Sequence, residues 1–159
     1  MKFNATKNVC MKFGYSLTEH DRLSVGGQEV TLSQRCLHLG NCISSALTDM
    51  TDSSHIVSSF YGHVNKYIAN FSFLSPSLRS RLFNTYCSSF YGIQLLPLDS
   101  RCMLHICTQW NKAVRRVMQL PYLTHTWILP FIMFKSPLRC QFECRFIKFF
   151  IYFFKFFNQ

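Results

Sequence analysis

From Ile56 onward the apolar residues of this chain recur at the spacing of a helix. Ile56, Phe60, Val64, Tyr67, Ile68 and Phe71 stand at i, i+4, i+8, i+11, i+12 and i+15. That series covers one face of an amphipathic helix, which Asp52 and Ser53 can cap. A second helix is predicted in SPSLRSRLFNTYCSSFYG (75–92). Ser75 is its N-cap, Pro76 takes the first helical position and Gly92 is the stop. Its inward stripe reads as Leu78, Leu82, Tyr86 and Phe90, widened by Phe83. A third runs from about Arg101 to Met118 with Met103, Ile106, Trp110, Val114 and Val117 inward. The Pro-punctuated connection PYLTHTWILPFIMFKSP follows. A last helix starts near Pro137, carries Leu138, Phe142 and Phe146, and then loses any polar face.

Before about Ser44 the rhythm differs. NVCMKF is a strand candidate, and RLSV–Gly26–Gly27–QEVTL reads as a hairpin with a Gly-Gly turn. RCLHLGNCIS alternates as one strand, with Gly40 marking a bulge or a close approach by another chain. The expected fold class is therefore α+β and mostly helical: a short N-terminal β-rich head, then a bundle of three to four helices. The divisions fall at residues 1–45, 46–120 and 121–159, and no internal repeat is visible.

Composition bears on the partner. The chain has 159 residues, of which 48% are hydrophobic and 16% aromatic, so a core can be buried and disorder is excluded. Seventeen Lys and Arg face seven Asp and Glu, a formal charge of +10. Such a surplus points to nucleic acid or an anionic membrane surface. No stretch reaches the roughly 18–20 apolar residues of a membrane span. Lys148 and Lys155 interrupt the Phe-rich tail FIKFFIYFFKFFNQ. That tail is read as a core helix stripped of its cover. The alternative is a basic amphipathic helix lying on a membrane.

Enzyme chemistry is sparse. The acids are Glu19, Asp21, Glu29, Asp49, Asp52, Asp99 and Glu143, with no D-D or D-x-D pair. Hard cations select converging carboxylates, so a complete metal-dependent centre is not expected. Asp49 and Asp52 are explained by the dipole of a helix start. The eight cysteines contain no C-x-x-C and no zinc-finger spacing to His. Cys140 and Cys144 lie one helical turn apart, which makes no site by itself. MKFNATKNVCMKFG has no apolar signal region, so an intracellular chain with reduced thiols is expected. Cys87 with His63, or Cys102 with His105, lacks a third, orienting group. His38, His55, His63 and His125 read as ordinary core or surface histidines, and VGGQ as a turn. What remains is a set of basic residues away from the apolar stripes: Lys66, Arg79, Arg81, Lys112, Arg115 and Arg116. Outward Lys and Arg on packed helices suit a phosphate backbone.

Several segments resemble the C-terminal half of reverse transcriptases from jockey-like non-LTR retrotransposons. FNATKNVCMKFG is similar to the strand and turn after the catalytic palm strand, and CLHLGNCIS to the primer grip. SSFYGHVNKYIANFSFLSPSLRSRLFNTYCSSFYGIQLL resembles the thumb, with its LF-x-x-YC-x-x-x-YG-x-x-L run. WNKAVRRVMQLPYLTH resembles the following helix and its RR-x-x-x-LP-x-x-TH end. The resemblance covers nearly the whole chain. It implies an RNA-directed DNA polymerase fragment, palm end plus thumb, that grips an RNA–DNA template–primer. By position, Asn4 and Lys7 would lie beside the catalytic centre, with Lys7 assisting the leaving pyrophosphate. His38, Leu39 and Gly40 would hold the primer end. Lys66, Arg79, Arg81, Arg115 and Arg116 would be thumb residues near the duplex. The family's Tyr-Ala-Asp-Asp segment, which would hold Mg²⁺, is absent, as are the fingers and most of the palm. LLPLD stands where the family has Leu-Trp, and the tail lacks the family's polar finish. The expectation is a truncated copy, inactive alone, whose Phe surplus is a remnant interface. The alternatives are a membrane-surface-binding helical protein and an interaction module without a ligand.

Overall fold

A computed structural model describes residues 8–14 and 23–157. The chain separates into two units, Met1–Asp52 and Ser53–Gln159. The class is the expected one, α+β and mostly helical, with short N-terminal strands followed by helices.

In the first unit the strands are β1 (Val9–Cys10), β2 (Leu23–Val25), β3 (Gln28–Leu32), β4 (Arg35–His38) and β5 (Asn41–Ser44). β3 is central, parallel to β1 through Val9↔Thr31 and antiparallel to β2 through Leu23↔Val30. Gly26 and Gly27 join β2 to β3 with φ of 60° and 77°. Positive φ at both central residues is what a tight hairpin of right-twisted strands needs, and it makes Gly-Gly the natural choice. The Gly-Gly hairpin is therefore as the sequence indicated, whereas NVCMKF yields a strand of only two residues.

RCLHLGNCIS departs from its reading as one strand. It is a second hairpin, β4 pairing β5 from Arg35↔Ser44 to His38↔Asn41. Leu39 and Gly40 form its turn with φ of 49° and 82°. Gly40 is thus a turn glycine, not a bulge inside a strand. Asp52 reinforces this hairpin: its Oδ1 accepts from the Cys42 backbone N–H at 2.7 Å.

The second unit is helical. α1 (Asp49–Phe71) begins before the capping pair Asp52 and Ser53, which fall inside the helix and not at its cap. α2 (Pro76–Tyr86), α3 (Arg101–Val117), α4 (Ile128–Ile132) and α5 (Leu138–Phe157) follow, with one 3₁₀ turn at Ile93–Leu95. The Ser100 hydroxyl caps α3 by accepting from Met103 N–H at 3.2 Å. α3 presents the expected face: Met103, Ile106, Trp110, Val114 and Val117 are all buried. From α1, Ile56, Phe60, Val64 and Tyr67 meet them in one apolar core, joined by Phe83, Ile93, Leu129, Met133, Leu138 and Phe142.

The stripe assigned to the second helix needs correction. Leu78 and Tyr86 are exposed; Phe83 and Phe90 are buried as expected, Leu82 packs against the core, and Ser80, Cys87 and Ser88 are buried as well. The helix stops at Tyr86, and Phe90 lies beyond it with φ of 37°, so no i+4 series runs through to Phe90. Phe83 packs edge-on against both Phe60 and Tyr67. The Ser80 hydroxyl and the Asn84 amide both donate to the Met133 carbonyl at the end of α4, at 2.9 and 3.2 Å.

The RR-x-x-x-LP-x-x-TH stretch closes α3. Leu120 N–H reaches back to Arg115 O at 2.8 Å and Gln119 N–H to Arg116 O at 3.3 Å. Gln119 takes φ of 56°, completing a Schellman ending just before Pro121. α4 ends the same way, with Lys135 N–H on Pro130 O at 3.0 Å and Phe134 at φ 50°.

Candidate nucleic-acid interface

The charge is not spread evenly. Residues 1–52 carry five Lys and Arg and five acids, whereas residues 53–159 carry twelve against two. The entire +10 surplus therefore belongs to the helical unit. Its two acids, Asp99 and Glu143, both hold Arg139, at 2.7 and 3.1 Å. From residue 53 to 98 and from 100 to 142 there is no acid at all.

Six basic residues were expected to face outward, and they divide into two kinds. Arg79 is half-buried: its Nε donates to Leu74 O at 2.7 Å and its Nη1 to Val117 O at 3.2 Å. It thereby satisfies a carbonyl of the α1–α2 turn and one at the C-terminus of α3. Arg115 donates through Nε and Nη2 to Thr124 O at 3.1 and 2.7 Å, locking the loop after α3. Both residues are structural clamps. Their spare charge is directed at carbonyls, so neither belongs in the interface as an outward cation.

Lys66, Arg81, Lys112 and Arg116 are exposed. On α3, Lys112 and Arg116 lie one turn apart. Arg116 Nη2 reaches Asn65 Oδ1 on α1 at 3.4 Å, and Lys66 follows Asn65 in the chain. Nearby, Tyr61 donates to Gln109 Oε1 at 3.0 Å. Burial raises the Tyr61 phenol above its ordinary value, and Arg116 opposes the shift. The result is a cationic face across α1 and α3. Arg81 lies in a cleft of about 520 Å³ of mixed lining, where Ser77, Asn84, Thr85 and Lys135 stand beside Met133 and Phe134. Lys135 went unnoticed in the sequence because it sits in an aperiodic connection. The absence of acids from 100 to 142 was its only signal.

His38, Leu39 and Gly40 occupy the exposed tip of the β4–β5 hairpin. Lys7 and Asn4 lie outside the described residues.

Cys87 has no catalytic geometry. It is buried at the end of α2, and burial pushes its thiol up to about 11. A nucleophilic cysteine needs the opposite shift. One polar atom in the core merits note: Trp110 Nε1 is buried without a hydrogen-bond partner. Trp110 borders a cleft of about 570 Å³ that carries the exposed rings of Trp127 and Phe131, set at 82° to one another.

Among the described residues the donor set does not fit a divalent-cation centre of the kind the resemblance implies. Among the described residues no three His, Cys, Asp or Glu gather in one place. Asp52 is engaged by the β4–β5 hairpin, and Asp99 and Glu143 by Arg139. No protein-family model, curated protein or solved structure matches this chain.

Proposed function

We propose that the helical unit grips the phosphate backbone of a template–primer duplex, as the thumb piece of a retrotransposon-type RNA-directed DNA polymerase. Alone, the chain contributes grip and no polymerisation. One observation carries the reading: the whole charge surplus lies in residues 53–159, where both acids are already spent on Arg139. A field of that sign, presented by rigid helices, attracts polyanions whatever their sequence. The gripping residues are Lys66, Lys112 and Arg116 on the α1–α3 face, with Arg81 beside its cleft. Thr124 and Val117 carbonyls occupy the other two arginines. The exposed tip at His38, Leu39 and Gly40 is the place for a primer-end contact.

Binding of an RNA–DNA hybrid, followed by fluorescence anisotropy against salt, tests the grip. Four phosphate contacts give a slope of log affinity on log salt of about −3 to −4. Arg116→Gln lowers that slope by about 1. A flat dependence, or no binding, overturns the grip. Template-directed primer extension by the purified chain with Mg²⁺ or Mn²⁺ overturns the claim of inactivity.

A further inference from the structure

The second half of α5 is not explained by the grip. α5 buries Leu138 and Phe142 in the core, and Phe146 is half-buried. From Ile147 to Phe156 every apolar side chain is then exposed, from 38% at Phe149 to 81% at Phe156. The rings pack along the helix on one another, Phe146 on Phe150 at 4.6 Å and Phe150 on Phe154 at 6.0 Å. Water is a poor neighbour for such a surface, since apolar area left wet forgoes roughly 25 cal/mol per Å².

The cations on this segment are ordered. At 3.6 residues per turn, Lys148 and Lys155 fall within about 20° of each other around the helix. Ile151 and Tyr152 lie between them on that side, and Phe146, Phe150 and Phe153 lie opposite. No acid occurs from Cys144 to Gln159. A protein cover wrapped around this segment would have to bury two ammonium groups and supply acids for them. A bilayer surface need not, because lysine stems run along apolar surface while their heads reach the phosphates. Among the described residues no helix is long and apolar enough to cross a membrane, so the segment suits lying on one and not spanning it.

We propose that residues 146–157 dock into the interface of an anionic lipid bilayer. The phenyl rings enter the acyl boundary. Tyr152 and the two lysines stay at headgroup level, where an aromatic hydroxyl and ammonium groups both find partners. The device is separate from the α1–α3 face, and it stands whether or not that face binds nucleic acid.

The test is flotation of the full chain with phosphatidylserine–phosphatidylcholine vesicles, compared with phosphatidylcholine alone. Binding to the anionic vesicles and weak binding to the neutral ones is expected. Lys148→Gln with Lys155→Gln lowers the anionic partition by roughly thirtyfold, the effect of losing two surface cations. Phe149→Ser, Phe153→Ser and Phe156→Ser together abolish it. These side chains are exposed, so the helical core stays folded, which circular dichroism checks. A Phe153→Trp variant gives a second readout, a blue shift of emission with vesicles. The proposal falls if the triple serine variant binds as well as the parent, because the general positive charge would then suffice. It also falls if the chain ignores vesicles and instead self-associates on ultracentrifugation, which would make a second copy the cover of this face.

Discussion

Arg79 and Arg81 stand two residues apart on α2 and do different jobs. The difference comes from which carbonyls lie within reach. Arg79 finds Leu74 O and Val117 O, whereas Arg81 is exposed at the edge of an open cleft. Arg79→Met strands those carbonyls beside a removed charged donor, and a cost of about 1–3 kcal/mol is expected. Arg81→Met should cost no more than about 0.5 kcal/mol, as surface changes do. Urea denaturation of the two variants measures this, and equal losses would remove the distinction between clamp and interface residue. Cys87 gives a second expectation at this scale. Its thiol is raised by burial from 9.0 to about 11. Below pH 9 both folded and unfolded forms keep the proton, and the stabilisation is fully present. Between 9 and about 11 the unfolded thiol ionises first, so stability falls as pH rises through that window. Alkylation at pH 8 should therefore modify exposed Cys140 and Cys144 well before Cys87. Loss of Cys87 in the native chain at the same rate would contradict its burial.

At the scale of elements, the existence of the helices was legible and the phase of one was not. Ser75–Pro76, Ser100 and the α3 stripe are local signals, and each leads to a helix in its expected place. The inward side of α2 depends on where α1 and α4 lie, which the α2 sequence does not encode. Of the apolar series Leu78, Leu82, Tyr86 and Phe90, the core takes Phe90, with Leu82 packed against it, together with the expected Phe83 and the unexpected Cys87, while Leu78 and Tyr86 stay exposed. Phe83→Ala should then cost about 3–5 kcal/mol in unfolding free energy. Leu78→Ala and Tyr86→Ala should each cost about 1 kcal/mol or less, and the reverse ranking would restore the sequence-derived stripe. The β4–β5 hairpin was missed for a related reason. Alternation runs through RCLHLGNCIS without a break, and Leu-Gly is not a recognised hairpin dipeptide. Leu39 pays for its φ of 49°, a region that asparagine tolerates. Leu39→Asn is expected to stabilise the first unit by about 1 kcal/mol. Amide exchange within β4 and β5 would register this, and faster exchange would argue against the turn. The candidate interface was half legible: sequence identified the cations but not which ones the carbonyls claim.

For the whole molecule the decisive quantity is the division of charge. The head is formally neutral and the helical unit carries +10 over 107 residues, Ser53 to Gln159. Like charges on one unit repel, so added salt should stabilise the unliganded chain by screening them. A bound polyanion neutralises the same charges directly. At a hybrid concentration a hundredfold above Kd, linkage raises the unfolding free energy by about 2.7 kcal/mol. Raising salt from about 50 to 200 mM weakens a four-contact complex on the order of a hundredfold. The gain from the same hybrid concentration then shrinks to a few tenths of a kcal/mol. Salt should therefore act in opposite directions, strengthening the free chain and erasing the stabilisation by hybrid. Urea unfolding of the helical unit, followed by tryptophan emission from Trp110 and Trp127 with and without hybrid at both salt levels, separates the two effects. A hybrid-dependent gain that survives high salt would mean the contacts are not phosphate contacts. A free chain that loses stability with salt would mean its cations are already neutralised by groups other than the two acids on Arg139.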